Sequence, residues 1–307
     1  MNTEKSSIFV YGEVLYDCFE GSTPIIGGAP FNVAWHLQAF GLAPQMITAI
    51  GNDTLGEQII NTMEKWGMST KYVQKNISVP TGTVRIKLKN GEPHYDIRDR
   101  CAYDDIQYNA ELQTSEHPFI YHGSLALRHS ASNSSLQSIL KQKTFKRFID
   151  VNLRAPWWDY VQVIQSVQAA EFVKLNIDEL KVLTRIDSTS AHQMDADWTA
   201  QASEFKSIHK IENVLITRGS EGATLIDAQK GVYNVNCPRM ETNVVDTVGA
   251  GDAFSAVIIF AQINNWPWPI ALDRAQQFAS YIVTQQGATC NDPRVYDKFV
   301  RNWTACL

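Results

Sequence analysis

Residues 246–255 read Asp-Thr-Val-Gly-Ala-Gly-Asp-Ala-Phe-Ser and run directly into the apolar stretch Ala256–Ala261. Glycines at 249 and 251 let the backbone come close to a ligand. A helix starting here presents N–H groups that lack intrahelical partners, at the positive end of its dipole, and so makes an anion site. Asp252 stands at the mouth of that site. Backbone donors from Gly249, Ala250 and Gly251, beside a carboxylate able to take a proton, are the parts a phosphoryl transfer needs. Taken alone, Gly-Ala-Gly also suits a plain strand-to-helix turn, with Asp252 as a first-turn acid. No Gly-Lys-Ser/Thr follows, so this is not a Walker loop.

A second constellation joins Asp17 to Gly27-Gly28-Ala29-Pro30-Phe31-Asn32. If a helix starts near Pro30, the diglycine turn carries Gly28 and Asn32 toward the region of Asp17. A carboxylate and an amide together accept from and donate to neighbouring hydroxyls, and a polyol is the matching ligand. The competing reading is a glycine turn with both polar groups in water. Further along, Arg154 closes Asp150-Val151-Asn152-Leu153-Arg154 at a strand end, where its fork of donors suits a substrate or a phosphoryl group or merely caps the strand. Asn176-Ile177-Asp178-Glu179 fits a helix cap with acids in the first turn.

The elements that position these groups can be read from hydrophobic periodicity. Ile8-Phe9-Val10-Tyr11-Gly12 is a buried first strand. Phe31–Phe40 is a helix stopping at Gly41, Gln45–Gly51 a strand and Leu55–Trp66 an amphipathic helix. Thr83–Leu88 and His94–Ile97 flank Lys89-Asn90-Gly91-Glu92, a hairpin signal. From residue 118 strands and helices alternate: strands at Phe119–His122, Phe148–Val151, Phe172–Leu175, Val214–Thr217 and Ala223–Asp227; helices at Ser132–Lys143, Trp158–Ala169, Ile177–Leu183, Ala196–Ile208, Gly251–Ile263 and Ile270–Thr284. Such alternation predicts an α/β fold, a mostly parallel sheet covered by helices on both faces. Hairpin material is confined to the first third, as a small β appendage on a single domain spanning residues 1–307.

The 307 residues are 44% hydrophobic and 19% charged, with net charge −5. This composition gives no sign of a nucleic-acid partner. Five dispersed cysteines, Cys18, Cys101, Cys237, Cys290 and Cys306, form neither a disulfide framework nor a zinc pattern. The polar N-terminus carries no leader signal, and the longest apolar stretch is too short to span a bilayer. A cytoplasmic protein with reduced thiols and no membrane partner is expected. His36, inside a helix pattern, reads as packing.

The string Asp-Thr-Val-Gly-Ala-Gly-Asp resembles the C-terminal signature of the ribokinase-like (PfkB) carbohydrate kinases, which do their phosphate chemistry without a Walker lysine. Gly27-Gly28-Ala29-Pro30-Phe31-Asn32 resembles their N-terminal signature. Its Gly-Gly-Ala-Pro, with the opening Gly12-Glu13-Val14-Leu15-Tyr16-Asp17, is similar to fructokinases more than to ribokinases. The resemblance implies a ribokinase-like fold with a β lid built from segments of about 13–27 and 80–100. It implies Asp252 as catalytic base and the turn Gly249, Ala250 and Gly251 as anion hole. It places Asp17, Gly28 and Asn32 on the sugar. Tyr95-x-x-Arg98 with Cys101-Ala102 is similar to the segment that brings an arginine to the substrate, here Arg98. Asp150-x-Asn152-x-Arg154 matches a further family pattern, with Trp157 replacing the usual leucine.

On the nucleotide side, the resemblance implies that Asn176 and Glu179 hold magnesium largely through water and orient phosphate. Thr217, Gly219 and Gly222 border the nucleotide, and Phe278–Val283, with Ser280, walls the adenine. Asp246 and Gly287 match a potassium loop, although Cys290-Asn291 departs from the family's Pro-Ser. The implied reaction moves the γ-phosphoryl of ATP to a primary hydroxyl of a sugar, fructose first, giving fructose 6-phosphate. The implied assembly is a homodimer through the lid. Three rivals stand beside it: a kinase for 2-keto-3-deoxygluconate, ribose, tagatose or a nucleoside; a sugar-binding regulatory descendant without catalysis; and a nicotinamide dehydrogenase. The last lacks Gly-x-Gly-x-x-Gly after the first strand.

Overall fold

The computed structural model describes residues 7–19, 21, 23–89, 92–108, 112–185, 198–238 and 243–305. Its elements in chain order are β1 (Ile8–Tyr11), β2 (Leu15–Phe19), β3 (Ile25–Gly27), α1 (Ala29–Ala39), β4 (Gln45–Gly51), α2 (Thr54–Lys65), β5 (Val73–Asn76), β6 (Gly82–Lys89), β7 (Glu92–Ile97), β8 (Phe119–His122), α3 (Ser130–Leu140), β9 (Lys146–Asp150), α4 (Tyr160–Val167), β10 (Phe172–Asn176), α5 (Ile177–Thr184), α6 (Trp198–Ile208), β11 (Asn213–Thr217), β12 (Ala223–Ile226), β13 (Val232–Val235), α7 (Ala250–Ile263), α8 (Trp268–Ile282) and α9 (Pro293–Thr304).

Nine strands form one sheet in the order β13-β12-β11-β10-β9-β8-β1-β4-β5. From β11 across to β5 every neighbouring pair is parallel, and the interior strands are buried on both faces. The strand residues therefore alternate between two cores. Val10, Phe148, Phe172 and Leu215 face α1, α7, α8 and α9. Ile149, Val173, Leu175 and Ile216 face α4, α5 and α6. Helix α7 is apolar all round because it lies inside: every residue from Ala253 to Ala261 is buried. No helix among the described residues is long and apolar enough to cross a membrane.

The second, four-stranded sheet has the order β3-β2-β6-β7. Its central pair β2–β6 is parallel and its outer pairs are antiparallel. The register puts Ile25, Asp17, Val84 and Ile97 in one cross-strand row, and Phe19, Ile86 and Tyr95 in the next. These rows share one face of the sheet. Turn residues 90 and 91 of the expected hairpin lie outside the described residues, as do residues 196–197 of the expected helix at 196–208, and Cys306.

The fold departs from the periodicity reading in four places. Strands β2 and β3 are short and carry polar or glycine positions, and β5 (Val-Gln-Lys-Asn) is an edge strand without apolar alternation. Antiparallel pairing is not confined to the first third: β11, β12 and β13 form a meander with only a single 3-10 turn, Gly219–Glu221, and no α-helix between them. Helix α9 was not anticipated, although Val295, Tyr296, Phe299, Val300 and Trp303 have helical spacing and pack on the core.

Candidate active site

The carboxyl ends of β1, β9 and β10 and the inner face of the small sheet enclose a cavity of about 710 Å³. Glu13, Asp17, Asn32, Asn152, Arg154, Lys174 and Asp252 supply its charged and amide groups; Gly28, Gly249 and Gly251 bring backbone to its wall. A site at the carboxyl ends of parallel strands is where an open α/β sheet leaves its crevice.

Two glycines are fixed by geometry. Gly28 caps α1 with φ 105°, and a Cβ there would meet the Glu13 carbonyl at 2.7 Å. Gly249 caps α7 in the left-handed region with φ 82°, and a Cβ there would stand 2.4 Å from Ala288 Cα. A side chain at either position would move the helix start. The Gly249 carbonyl accepts from Ala253 N at 2.8 Å, so α7 begins at once and its first N–H groups open on the cavity. Ala250 N–H also points back to the Thr247 carbonyl, at 3.5 Å.

Asp252 is half-buried in the first turn of α7, and Asn32 is buried in the first turns of α1. Asn32 Nδ2 donates to Asp252 Oδ2 at 2.8 Å. Burial pushes the Asp252 carboxyl up to about 6, with the negative charge of Asp150 adding to the rise; the Asn32 hydrogen bond, Lys174 and Arg154 oppose it. Desolvation likewise raises Asp17 to about 6 and Glu13 to about 7, and Arg154 opposes both shifts. Asn32 Oδ1 and Glu13 Oε2 are buried with no protein partner. Buried polar atoms without a partner are uncommon in a folded protein, and both of these residues line the cavity.

Arg154 is exposed at the rim, its guanidinium held by the Leu153 carbonyl at 3.1 Å. Arg98 is exposed and absent from the cavity wall; its carbonyl instead accepts from Arg128 at 2.6 Å. Asn176 and Glu179 form a reciprocal cap on α5. Asn176 Oδ1 accepts from Glu179 N at 2.8 Å, and Glu179 Oε2 accepts from Asn176 N at 2.9 Å. The other carboxylate oxygen of Glu179 takes Leu153 N at 2.7 Å. Thr217 pairs in register with Asn176 at the same sheet edge, and Gly219 and Gly222 shape the turn between β11 and β12. These two glycines and Ser280, buried on α8 beside Cys237, do not line the cavity. Asp246 accepts from Val248 N at 3.0 Å and Gly287 N at 3.1 Å, tying the two loops together.

Sequence reasoning left three neighbours out of the site. Glu13 read only as part of a motif. Asp150 likewise read only as part of a motif and Lys174 only as a strand residue, yet they make a buried ion pair at 2.5 Å under the first turn of α7. The signal for the pair was a lysine inside the otherwise apolar strand Phe-Val-Lys-Leu. His36, read as packing, is fully buried; it lies 2.9 Å from the Tyr296 hydroxyl and its Nε2 donates to the Ala288 carbonyl at 3.2 Å.

A parallel sheet, a helix N-terminus opening on a polar cavity and a carboxyl beside it define a ribokinase-like phosphotransferase that acts on a sugar. The chain matches the pfkB family carbohydrate kinases over residues 6–294 and belongs to that family. It is 29% identical to a putative sugar kinase of Pyrococcus horikoshii, over 76% of this chain and 72% of that one. It is 27% identical to an Escherichia coli fructokinase, over 92% and 95% of the two chains. The crystal structure of a Xylella fastidiosa fructokinase with bound ATP superposes with a TM-score of 0.79 at 19% identity, covering 98% of this chain and 99% of that one.

Proposed function

We propose that this carbohydrate kinase transfers the γ-phosphoryl group of ATP to the primary hydroxyl of a neutral sugar, fructose, giving fructose 6-phosphate. The observation that carries the reading is the surplus of oxygen acceptors in the cavity. Asn32 Oδ1 and Glu13 Oε2 have no protein partner, and Asp17 and Asp252 stand beside them. Hydroxyl groups donate to such acceptors; the carboxylate of a sugar acid is repelled by them. Among the described residues the cavity has two cationic side chains, Arg154 and Lys174, and Lys174 is held by Asp150 against the first turn of α7, on the phosphate side rather than the sugar side.

In this reading Asp17, Gly28 and Asn32 hold the sugar. Asp252 takes the proton of the attacking hydroxyl, and the N–H groups of Gly249, Ala250 and Gly251 stabilise charge on the transferring group. Magnesium would be held near Asn176 and Glu179 and neutralise polyphosphate charge. Both oxygens of the buried Glu179 carboxylate already accept backbone N–H groups, which suits contact through the waters that magnesium keeps. Potassium is left out. The Cys290 carbonyl has both lone pairs in use, by Trp35 and Tyr296, and Cys290-Asn291 stands where the family has Pro-Ser. Exchanging KCl for NaCl should leave turnover within about twofold, a change of well under 1 kcal/mol.

The small sheet acts as a lid over the sugar, on a single domain in the cytoplasm, and two lids pack together in a homodimer. Phe19, Ile25 and Tyr95 are 42%, 41% and 49% exposed on the face that also carries Asp17, and a second lid would cover them. The deciding experiment is an ADP-release assay across hexoses, pentoses and keto-acids. Fructose should give the highest kcat/KM; a higher value with 2-keto-3-deoxygluconate overturns the choice of sugar.

A further inference from the structure

Lys174 sits in the middle of β10, an interior strand, and is only 6% exposed. Its Nζ donates to Asp150 Oδ2 at 2.5 Å, directly across the β9–β10 ladder. The same oxygen accepts from Ser255 of α7 at 3.1 Å and from Tyr121 of β8 at 3.3 Å. Three elements thus fix one carboxylate, and the carboxylate fixes the ammonium. A Cβ on Gly251 would come within 3.1 Å of Nζ, so the ammonium lies against the first turn of α7, next to the residue that precedes Asp252. It also lines the cavity.

This is a costly place for a cation. Buried ion pairs contribute little to stability in comparison with apolar side chains of the same volume. A positive charge at a helix N-terminus also opposes the helix dipole. Both costs reverse when a polyanion enters the cavity, because the ammonium and the helix N–H groups then face the same charge. An ammonium has three donors and Asp150 takes one. The pair is oriented, with its carboxylate drawn back by Ser255 and Tyr121 and its cation at the cavity wall.

We propose that Lys174 is a catalytic residue: its ammonium touches the phosphoryl group in flight and stabilises the charge that group carries, with Asp150 as its positioning residue. The inference rests on the ATP-dependent reading above. In the step itself the sugar oxygen forms its bond to phosphorus as the bond from phosphorus to the β,γ-bridging oxygen breaks. That electron pair leaves with ADP, the hydroxyl proton goes to Asp252, and Lys174 keeps all its protons.

The test compares wild type, Lys174→Arg, Lys174→Met and the double variant Lys174→Met/Asp150→Asn, which removes the charge that the single Met variant would strand. Each is assayed for turnover, for KM of the sugar, for thermal melting and for retention of ADP with aluminium fluoride, a mimic of the transferring group. Both Met variants should lose about a hundredfold or more in kcat, with KM for the sugar unchanged, and should bind ADP with aluminium fluoride more weakly while binding ADP alone normally. The Arg variant should retain part of both. The proposal is overturned if the double variant turns over within threefold of wild type, or if aluminium fluoride retention is unchanged in a folded Met variant. Absence of turnover by wild type on every sugar would instead refute the functional reading, and the aluminium fluoride comparison would still decide the role of Lys174.

Discussion

Asn32 and Asp252 are 220 positions apart and share a hydrogen bond of 2.8 Å. The bond joins the first turns of α1 and α7, two helices that pack along each other in the core. In the proposed function it aligns the amide that would bind the sugar with the carboxyl that would take the proton. A hydroxyl bound to the free Oδ1 of Asn32 lies in the same cavity as the base.

The first prediction concerns that base. Asp252→Asn keeps the shape of the turn and removes the proton acceptor. Turnover should fall on the order of a thousandfold, while ATP binding by calorimetry stays near normal. A near-normal turnover number would remove Asp252 from the role.

The second is a pH dependence. The base works ionised, and its carboxyl is pushed up to about 6. The kcat/KM profile should therefore lose activity as pH falls through about 6. Asn32 donates to the ionised form and so holds the value down. Asn32→Ala should move the acidic limb to higher pH, besides raising KM for the sugar. A limb that stays in place, or moves down, contradicts the geometry.

The third concerns stability. Burial lifts Glu13 from an ordinary 4.5 to about 7. A carboxyl raised in this way stabilises the fold in its protonated form. The contribution is complete below about pH 4.5 and is lost as pH rises through about 7, for at most about 3 kcal/mol. Glu13→Gln mimics the protonated state at every pH. It should melt above wild type at about pH 8 and close to it at about pH 5. Equal melting temperatures at the higher pH would mean that Glu13 is not strained by burial.

The fourth concerns assembly. Phe19→Asp with Tyr95→Asp places two charges on the exposed lid face. Sedimentation velocity at micromolar concentration should show a dimer for wild type and a monomer for the variant. A wild-type monomer would refute pairing through the lids.

The two ends of the site were legible because they are local. Gly249 to Asp252 and Gly28 to Asn32 are strand-to-helix turns whose chemistry is written in consecutive residues. The parallel sheet was legible because its strands are apolar on both faces and alternate with helices. The lid strands were harder: β2 reads Leu-Tyr-Asp-Cys-Phe, and its polar Asp17 faces a cavity rather than bulk water, a distinction periodicity does not make. The Lys174–Asp150 pair was harder still. Asp150 alone is a charge at the end of β9 and Lys174 a charge in an apolar strand, and only the β9–β10 register reveals that the two charges cancel. Arg98 illustrates the opposite case: its neighbours matched a pattern, yet the chain turns its side chain outward.

Helix α1 does two jobs within two turns. Asn32 faces the cavity, while Trp35 and His36 grip the carbonyls of Cys290 and Ala288, and Ala288 is the residue against which Gly249 packs. The acceptor's anchor and the donor's cradle are therefore one mechanical piece. A substitution on α1 that suits a different sugar would also displace the phosphate turn. The small sheet carries no such coupling to the phosphate turn: Leu15, Val84, Tyr95 and Ile97 touch the cavity from the opposite side. Any drift toward new acceptors can proceed through those four side chains while the phosphate chemistry is inherited unchanged.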